Sequence, residues 1–395
     1  MDDFMKERIT KFILIFATVL PFKSFSAPVP DDGLNDAPDI KQLIVDKSNL
    51  GGGEVLLGEG VYDICSSIYV REINNVTLKG NGKVVFRKCP SYSDEYLMYI
   101  YNSDNFVIDS IEFYGLTTQQ YEPGNHHYAW GEQGVLFAGT SNSSVLNSKF
   151  FNFGDAALRV TSSRSHPSQL PINSKNFIAD SNVFYNVTQV TTTHVWSSDF
   201  GGTENITFTR NLFKNIKGSL KLSSRKPVSK ALIQNNIFSD MHGNAAIELN
   251  YYSKVYIKGN SFSNLNGLVL NAYPNSLTSV NEPIDWDDIH FIKNNVSNAK
   301  GGLRFLSDIA GELIGSDTNI SGVIVSANHF FNMDFSAKDQ AHANIINMLS
   351  KGGQKEFMFV DIKQNVYELQ EGQRFFKSYT GQSVKQTDNV ELSAN

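Results

Sequence analysis

The strongest chemical signal in the sequence is a pair of acidic residues at matching positions of two similar segments. GEQGVLF from Gly131 aligns with GDAALRV from Gly154, which sets Glu132 against Asp155. Two carboxyls about 5 Å apart do not both ionise readily, so one pKa rises and the pair holds an acid beside an ionised base or nucleophile. Cleavage of a glycosidic bond needs that division: one carboxyl protonates the leaving oxygen, and the other attacks or activates water. A spacing near 5 Å favours retention, and about 6.5 to 9.5 Å favours inversion. The plainer alternative is two turn residues capping local backbone amides. Asp199 and Glu248 are the second choice for the catalytic carboxylates.

Other polar residues fall into a pattern around these acids. Arg159, Lys221, Glu248 and Arg304 each take the middle place of an apolar-x-apolar run. Side chains at such places point outward, so they form a stripe suited to an anionic or hydroxyl-rich chain. Arg304 reads more simply as part of a solvated sheet face. Trp130, Trp196 and Trp286 lie in the segments 116–131, 191–204 and 272–287, each with a carboxylate close by: Glu132, Asp199, and the pair Asp285 and Asp287. Flat aromatic faces suit sugar rings, while lids packed over the coil are the alternative. His194, with His126 and His127, could position sugars or exchange protons. No spacing reads as a zinc site, a phosphate-cradling loop or a nucleophile elbow, so neither metal nor cofactor is expected.

The elements that must position these residues come from an internal repeat. NFIADSNVF from Asn176, NITFTRNLF from Asn205, ALIQNNIF from Ala231 and VYIKGNSF from Val255 all fit apolar-x-apolar-x-x-Asn-x-apolar. A second short alternating run follows within each repeat, often after glycine, as in GSLKL from Gly218 and GNAAIEL from Gly243. Period-two alternation means strands, and short strands recurring every 24 or 25 residues at the tightest places describe a coil. The expected fold is all-β: a single-stranded right-handed parallel β-helix. The aligned asparagines, Asn81, Asn182, Asn211, Asn236, Asn260, Asn294, Asn328 and Asn365, are expected to form an internal amide ladder. Asparagine makes up about a tenth of the chain, roughly twice its usual share, and the ladder is the expected reason. Asp36 to Ser48, with Pro38 in its first turn, reads as a short amphipathic helix capping the open coil end. Cys65 and Cys89 lie one minimal repeat apart, so stacked coils bring their Cα atoms to roughly the 4.4 to 6.8 Å of a disulfide. Two buried thiols are the alternative.

Composition narrows the partners. With 41% hydrophobic and 19% charged residues the 395-residue chain can bury a large core, and a net charge of −6 argues against nucleic acid. Lys6, Arg8 and Lys11 precede an apolar run from Phe12 to Leu20, followed by Pro21 and Ser24-Phe25-Ser26. This is the pattern of a secretory signal cut before Ala27, with Met5 an alternative start, and the run is too short to span a membrane. The division is a signal peptide over 1–26, an N-terminal cap over 27–52, the β-helix over 53–380 and a C-terminal tail over 381–395. The place of action is the periplasm or the cell exterior.

DDGLNDAPDIKQLIVDKSNLGGGEVLLGEGVYDI, from Asp31 to Ile64, resembles the opening segment of pectin-lyase-like β-helix proteins. The resemblance covers residues 31 to about 380 in architecture, and it specifies fold more than chemistry. The chain departs from polygalacturonases, which carry an Asn-x-Asp, Asp-Asp, Gly-His-Gly and Arg-x-Lys series. Here Asp287-Asp288 is the only Asp-Asp after the signal besides Asp31-Asp32. A calcium-binding Asp cluster like that of pectate lyases is not evident. Lys221 as base and Arg159 as acid would resemble some β-helix alginate and chondroitin lyases. Phage tailspikes are similar in using carboxylate pairs on the β-helix face. A tailspike-like body made for export resembles the proteins encoded with bacterial exopolysaccharide synthesis, the amylovoran and stewartan type. That resemblance implies a glycosidase that cuts or trims an acidic exopolysaccharide. A non-catalytic polysaccharide-binding or assembly factor is the alternative from a different class.

Overall fold

Strand follows strand in one direction of winding, and every pairing between them is parallel. The computed structural model describes residues 27–92, 94–117, 132–163, 171–192, 202–223, 230–250, 252–273, 288–306, 322–335, 343–349, 357, 359–378 and 384–392. Within them the chain is a right-handed parallel β-helix with three faces. In one coil these are Thr203–Thr209, Leu212–Ile216 and Leu220–Ser223, each paired with its counterpart in the next coil: Ala231–Gln234, Ile237–Met241 and Ala245–Asn250.

The repeat pattern explains the core. Asn and Phe two residues apart point to the same side of a strand, so x-Asn-x-Phe sends both inward. Phe113, Phe150, Phe184, Phe213, Phe238 and Phe262 stack face to face along the axis, with successive centroids 4.7 to 5.1 Å apart. Full burial of such a ring contributes about 1.5 to 3 kcal/mol, and stacked pairs add about 0.5 to 1.5 kcal/mol.

Beside the rings runs the amide ladder. Oδ1 of Asn211 accepts both the backbone N–H and the Nδ2–H of Asn182, and Nδ2 of Asn211 donates to the carbonyl of Ala179. The same bonds repeat through Asn236, Asn260, Asn294, Asn328 and Asn365 to Asn389. Asn81 does not belong to it. It is exposed, because Gly80 to Lys83 insert at that corner and hand the inward place to Val84 and, in the next coil, Ile111. Ser148 then begins the polar column, accepting from Ile111 N–H.

The asparagine surplus has a second cause. Among the described residues fourteen asparagines have φ between 47° and 64°, at corners where the chain turns between faces. Left-handed backbone costs most L-residues about 1 to 2 kcal/mol, and asparagine tolerates it. The ladder, with eight asparagines from Asn182 to Asn389, accounts for fewer.

The helix Ala37–Asn49 covers the N-terminal coil end through buried Ala37, Ile40 and Ile44. Cys65 and Cys89 are joined as a disulfide with Cα atoms 4.8 Å apart. At the other end the coil continues past residue 380. Lys385–Thr387 and Val390–Leu392 pair with Val360–Lys363 and Val366–Glu368, so the segment read as a tail is partly another coil.

Candidate functional site

The outward residues of the third face fall into one column, set by backbone register. It runs from Tyr69 through Tyr99 and Leu136 to Arg159. It continues through Thr191 to Lys221, Glu248, Asn271 and Arg304. Adjacent members are one coil apart, about 4.8 Å. Arg159 and Lys221 are thus two steps apart with Thr191 between them, and no bond joins them among the described residues. Lys221 Nζ lies instead 3.5 Å from Glu248 Oε2, to which the Tyr273 hydroxyl donates at 3.4 Å. Arg304 Nε donates to Asn271 Oδ1 at 2.8 Å, and burial lowers the guanidinium's pKa. Burial and the charge of Glu248 push the Tyr273 hydroxyl up to about 12.

Glu132 and Asp155 lie on adjacent coils, the amide of Asp155 bonding the Glu132 carbonyl at 2.9 Å, which sets Asp155 beside Gln133, one residue on from Glu132. Their side chains have different partners. The Glu132 carboxylate accepts from Leu116 N–H, from the Thr117 hydroxyl at 2.8 Å and from Gly154 N–H at 3.1 Å. Gly115 leaves room for it: a Cβ there would stand 2.6 Å from Glu132 Oε1 and 2.3 Å from the Asn152 carbonyl. These bonds are those of a corner cap, because a carboxylate held by backbone amides satisfies donors that otherwise have no acceptor. Asp155 is buried and accepts from Gln189 Nε2 at 2.8 Å.

A third acid belongs to this edge and was missed by the sequence alignment. The carbonyl of Glu95 accepts from Gln133 N–H at 2.9 Å, so Glu95, Glu132 and Asp155 occupy successive coils. Two steps separate the backbones of Glu95 and Asp155 by about 9.6 Å. The Gln133 amide donates to the Glu95 carboxylate. Glu95 is exposed at its edge, yet partial desolvation raises its pKa and Asp155 adds to the rise, against Arg159 and Lys88. Lys88 is buried with its ammonium 4.6 Å from the Tyr92 ring, and desolvation lowers its pKa to about 8.

Tyr69, Tyr99 and Tyr101 stack beside these acids, and Tyr96 packs on Tyr99 at 4.8 Å. Aligning Ile68-Tyr69-Val70 with Met98-Tyr99-Ile100 would have found the platform, since both tyrosines occupy the outward middle place. Around it the third face holds buried polar atoms with no hydrogen-bond partner: Tyr96 Oη, Gln133 Oε1, Arg159 Nε, Thr161 Oγ1 and Ser162 Oγ. Buried polar groups are ordinarily paired, so such a concentration marks a surface built to bond something else. Trp130, Trp196, Trp286, His194 and Asp199, with His126, His127, Asp285 and Asp287, lie outside the described residues.

The sequence model of the family described as right handed beta helix region matches residues 66–229. No curated protein matches the chain by sequence. Solved structures do match. The surface protein and adhesin PfbA of Streptococcus pneumoniae is 15% identical, with TM-score 0.66 and coverage of 93% of this chain and 96% of that one. A hyperthermoactive exopolygalacturonase from Thermotoga maritima is 14% identical, with TM-score 0.60 and 96% of each chain covered. The tailspike protein of E. coli bacteriophage HK620, solved in complex with a pentasaccharide, is 12% identical with TM-score 0.60. That match covers 93% of this chain but 64% of the tailspike. At these identities the likeness is one of fold: a right-handed parallel β-helix, shared with polysaccharide-active enzymes and with an adhesin.

Proposed function

We propose that the protein is exported and hydrolyses a bacterial exopolysaccharide laid along its third face, with Glu95 as acid and Asp155 as base. One observation carries this reading. Glu95 and Asp155 lie along one edge of the third face two coils apart, among buried polar atoms without partners and beside an aromatic cluster. Two coils between the backbones let the two carboxyls stand on opposite sides of a bound glycosidic linkage, the division of roles that inverting hydrolysis uses. Glu95 gives its proton to the glycosidic oxygen as the bond to the anomeric carbon breaks. Asp155 takes a proton from the water that attacks the same carbon from the opposite side. The free hydroxyl leaves on one fragment and the inverted hemiacetal on the other. Gln133 and Gln189 hold the two carboxylates, and Glu132 braces the corner between them.

Export is supported by the signal pattern of the first 26 residues, and by the Cys65–Cys89 disulfide, which belongs to an oxidising compartment. The resemblance to proteins of exopolysaccharide synthesis supports processing of that polymer as the role. The test is incubation of the protein with purified bacterial exopolysaccharides, followed by size-exclusion chromatography and ultraviolet absorbance. Shortened chains without new absorbance are expected. Shortened chains with an unsaturated, absorbing end would assign elimination instead. The likeness to an adhesin favours a second reading, a non-catalytic polysaccharide binder, for which chains would bind but keep their length.

A further inference from the structure

We infer that the groove over Tyr69, Tyr99 and Tyr101 is a subsite for an uncharged sugar ring. The inference rests on the third face being glycan-binding, and it adds which chemistry the polymer presents there. The groove has a volume of about 420 Å³. Tyr69 and Tyr101 stack at 5.5 Å and 30°, and Tyr99 and Tyr101 at 6.1 Å and 23°, forming one aromatic cluster along the groove. Tyr69 remains 40% exposed, so that cluster is open to solvent. Leu136 and Tyr96 form the floor, and the Tyr96 hydroxyl is buried there without a partner.

Each part suits a pyranose without charge. The C–H face of such a ring is apolar and packs on aromatic rings, while its rim of hydroxyls needs acceptors and donors at the edge. Asp94 supplies the acceptor. Ser67 N–H holds Asp94 Oδ2 at 2.9 Å, and the Gln133 amide holds Glu95 Oε1. The Asp94 carboxylate opposes a carboxylate-bearing ring, whose charge would be brought against it. The nearest cation of the column, Arg159, stands one coil beyond Leu136 and acts on Glu95, while Lys221 and Arg304 lie several coils away toward the C-terminal end.

Saturation-transfer NMR tests this with the methyl glycosides of glucose, galactose and mannose, each against its uronate, at millimolar concentration. These probes offer no polymer linkage, so the result is independent of cleavage. Saturation of the ring C–H protons is expected for at least one neutral glycoside and at least fivefold less for its uronate. Tyr69→Ala and Tyr99→Ala should each lower the neutral signal at least fivefold. Tyr69→Phe should keep it, and an unchanged melting transition shows that each variant is folded. The inference is overturned if no neutral glycoside binds, if the uronates bind as well, or if folded alanine variants bind unchanged. Methyl glucosaminide binding tenfold tighter than methyl glucoside would also overturn it, assigning the groove to a cation. Loss of this binding with continued chain shortening refutes the subsite alone. Binding without any shortening refutes the hydrolytic reading alone.

Discussion

The backbone amide of Asp155 bonds the carbonyl of Glu132 at 2.9 Å, yet the two carboxylates do not meet the same partners. Glu132 turns into the corner and accepts from Leu116, Thr117 and Gly154, while Asp155 accepts from Gln189. Matching places in two aligned segments therefore do not give equivalence of role.

Glu132 is expected to matter for folding more than for chemistry. Glu132→Ala leaves two part-buried donors, the Thr117 hydroxyl and Gly154 N–H, without an acceptor, a loss of up to about 1 to 3 kcal/mol for each. Glu132→Gln keeps oxygen acceptors and should lose less. Urea unfolding of both variants checks the order; equal stability of Glu132→Ala and the parent would refute the cap.

The ladder should be far more sensitive than the corners. Asn236→Ala removes the acceptor for two donors of Asn211 and the donor to the Phe208 carbonyl, all buried. A loss of roughly 2 kcal/mol or more follows from leaving such groups unpaired. Asn205→Gly, at an exposed corner with φ 57°, keeps the backbone unstrained and should stay within about 0.5 kcal/mol of the parent. Midpoints of urea unfolding compare the two.

Reduction of the Cys65–Cys89 disulfide frees a loop with a sequence separation of 24, which costs about 3 kcal/mol in the chain-entropy description. The loosened segment follows Cys89 and includes Tyr92, whose N–H bonds the Cys89 carbonyl. Hydrogen exchange after reduction should rise across 89–96 and stay unchanged across 231–249. Uniform exchange in both regions would contradict a local clamp.

Lys88 should give stability a pH dependence. Burial lowers its pKa from 10.5 to about 8, opposed by the charges of Glu132, Asp94 and Glu95. Between those values the unfolded chain binds the proton and the native one does not, so stability rises with pH from about 8 toward 10.5. Below about 8 the burial penalty is present in full. Lys88→Met should flatten this slope, read as the change in unfolding free energy between pH 7.5 and 9.5. An identical slope in the variant would remove Lys88 as its source.

Much of the fold was legible because each repeat writes the same inward residues, as in NLF from Asn211 and NIF from Asn236. Asn81 misled because only the spacing of side chains, and not the corner where four residues stand against one in the next coil, shows in the motif. The corner asparagines escaped notice because a left-handed φ leaves no periodic hydrophobic trace. At the candidate site the stripe of Arg159, Lys221 and Glu248 followed from alternation. Glu95 did not, since it precedes its strand outside any repeat and reaches its neighbours only through coil stacking. Side-chain direction at a corner, which separates Glu132 from Asp155, depends on local donors that alignment does not display.

Chain shortening by Glu95→Gln, Asp155→Asn and Glu132→Gln, measured by size-exclusion chromatography on the exopolysaccharide that the parent cleaves, tests the central claim most directly. The first two should each lose about 10²-fold or more of the rate, with binding intact, and Glu132→Gln should retain most of it. Full activity in Glu95→Gln or Asp155→Asn, with loss confined to Glu132→Gln, would contradict the assignment.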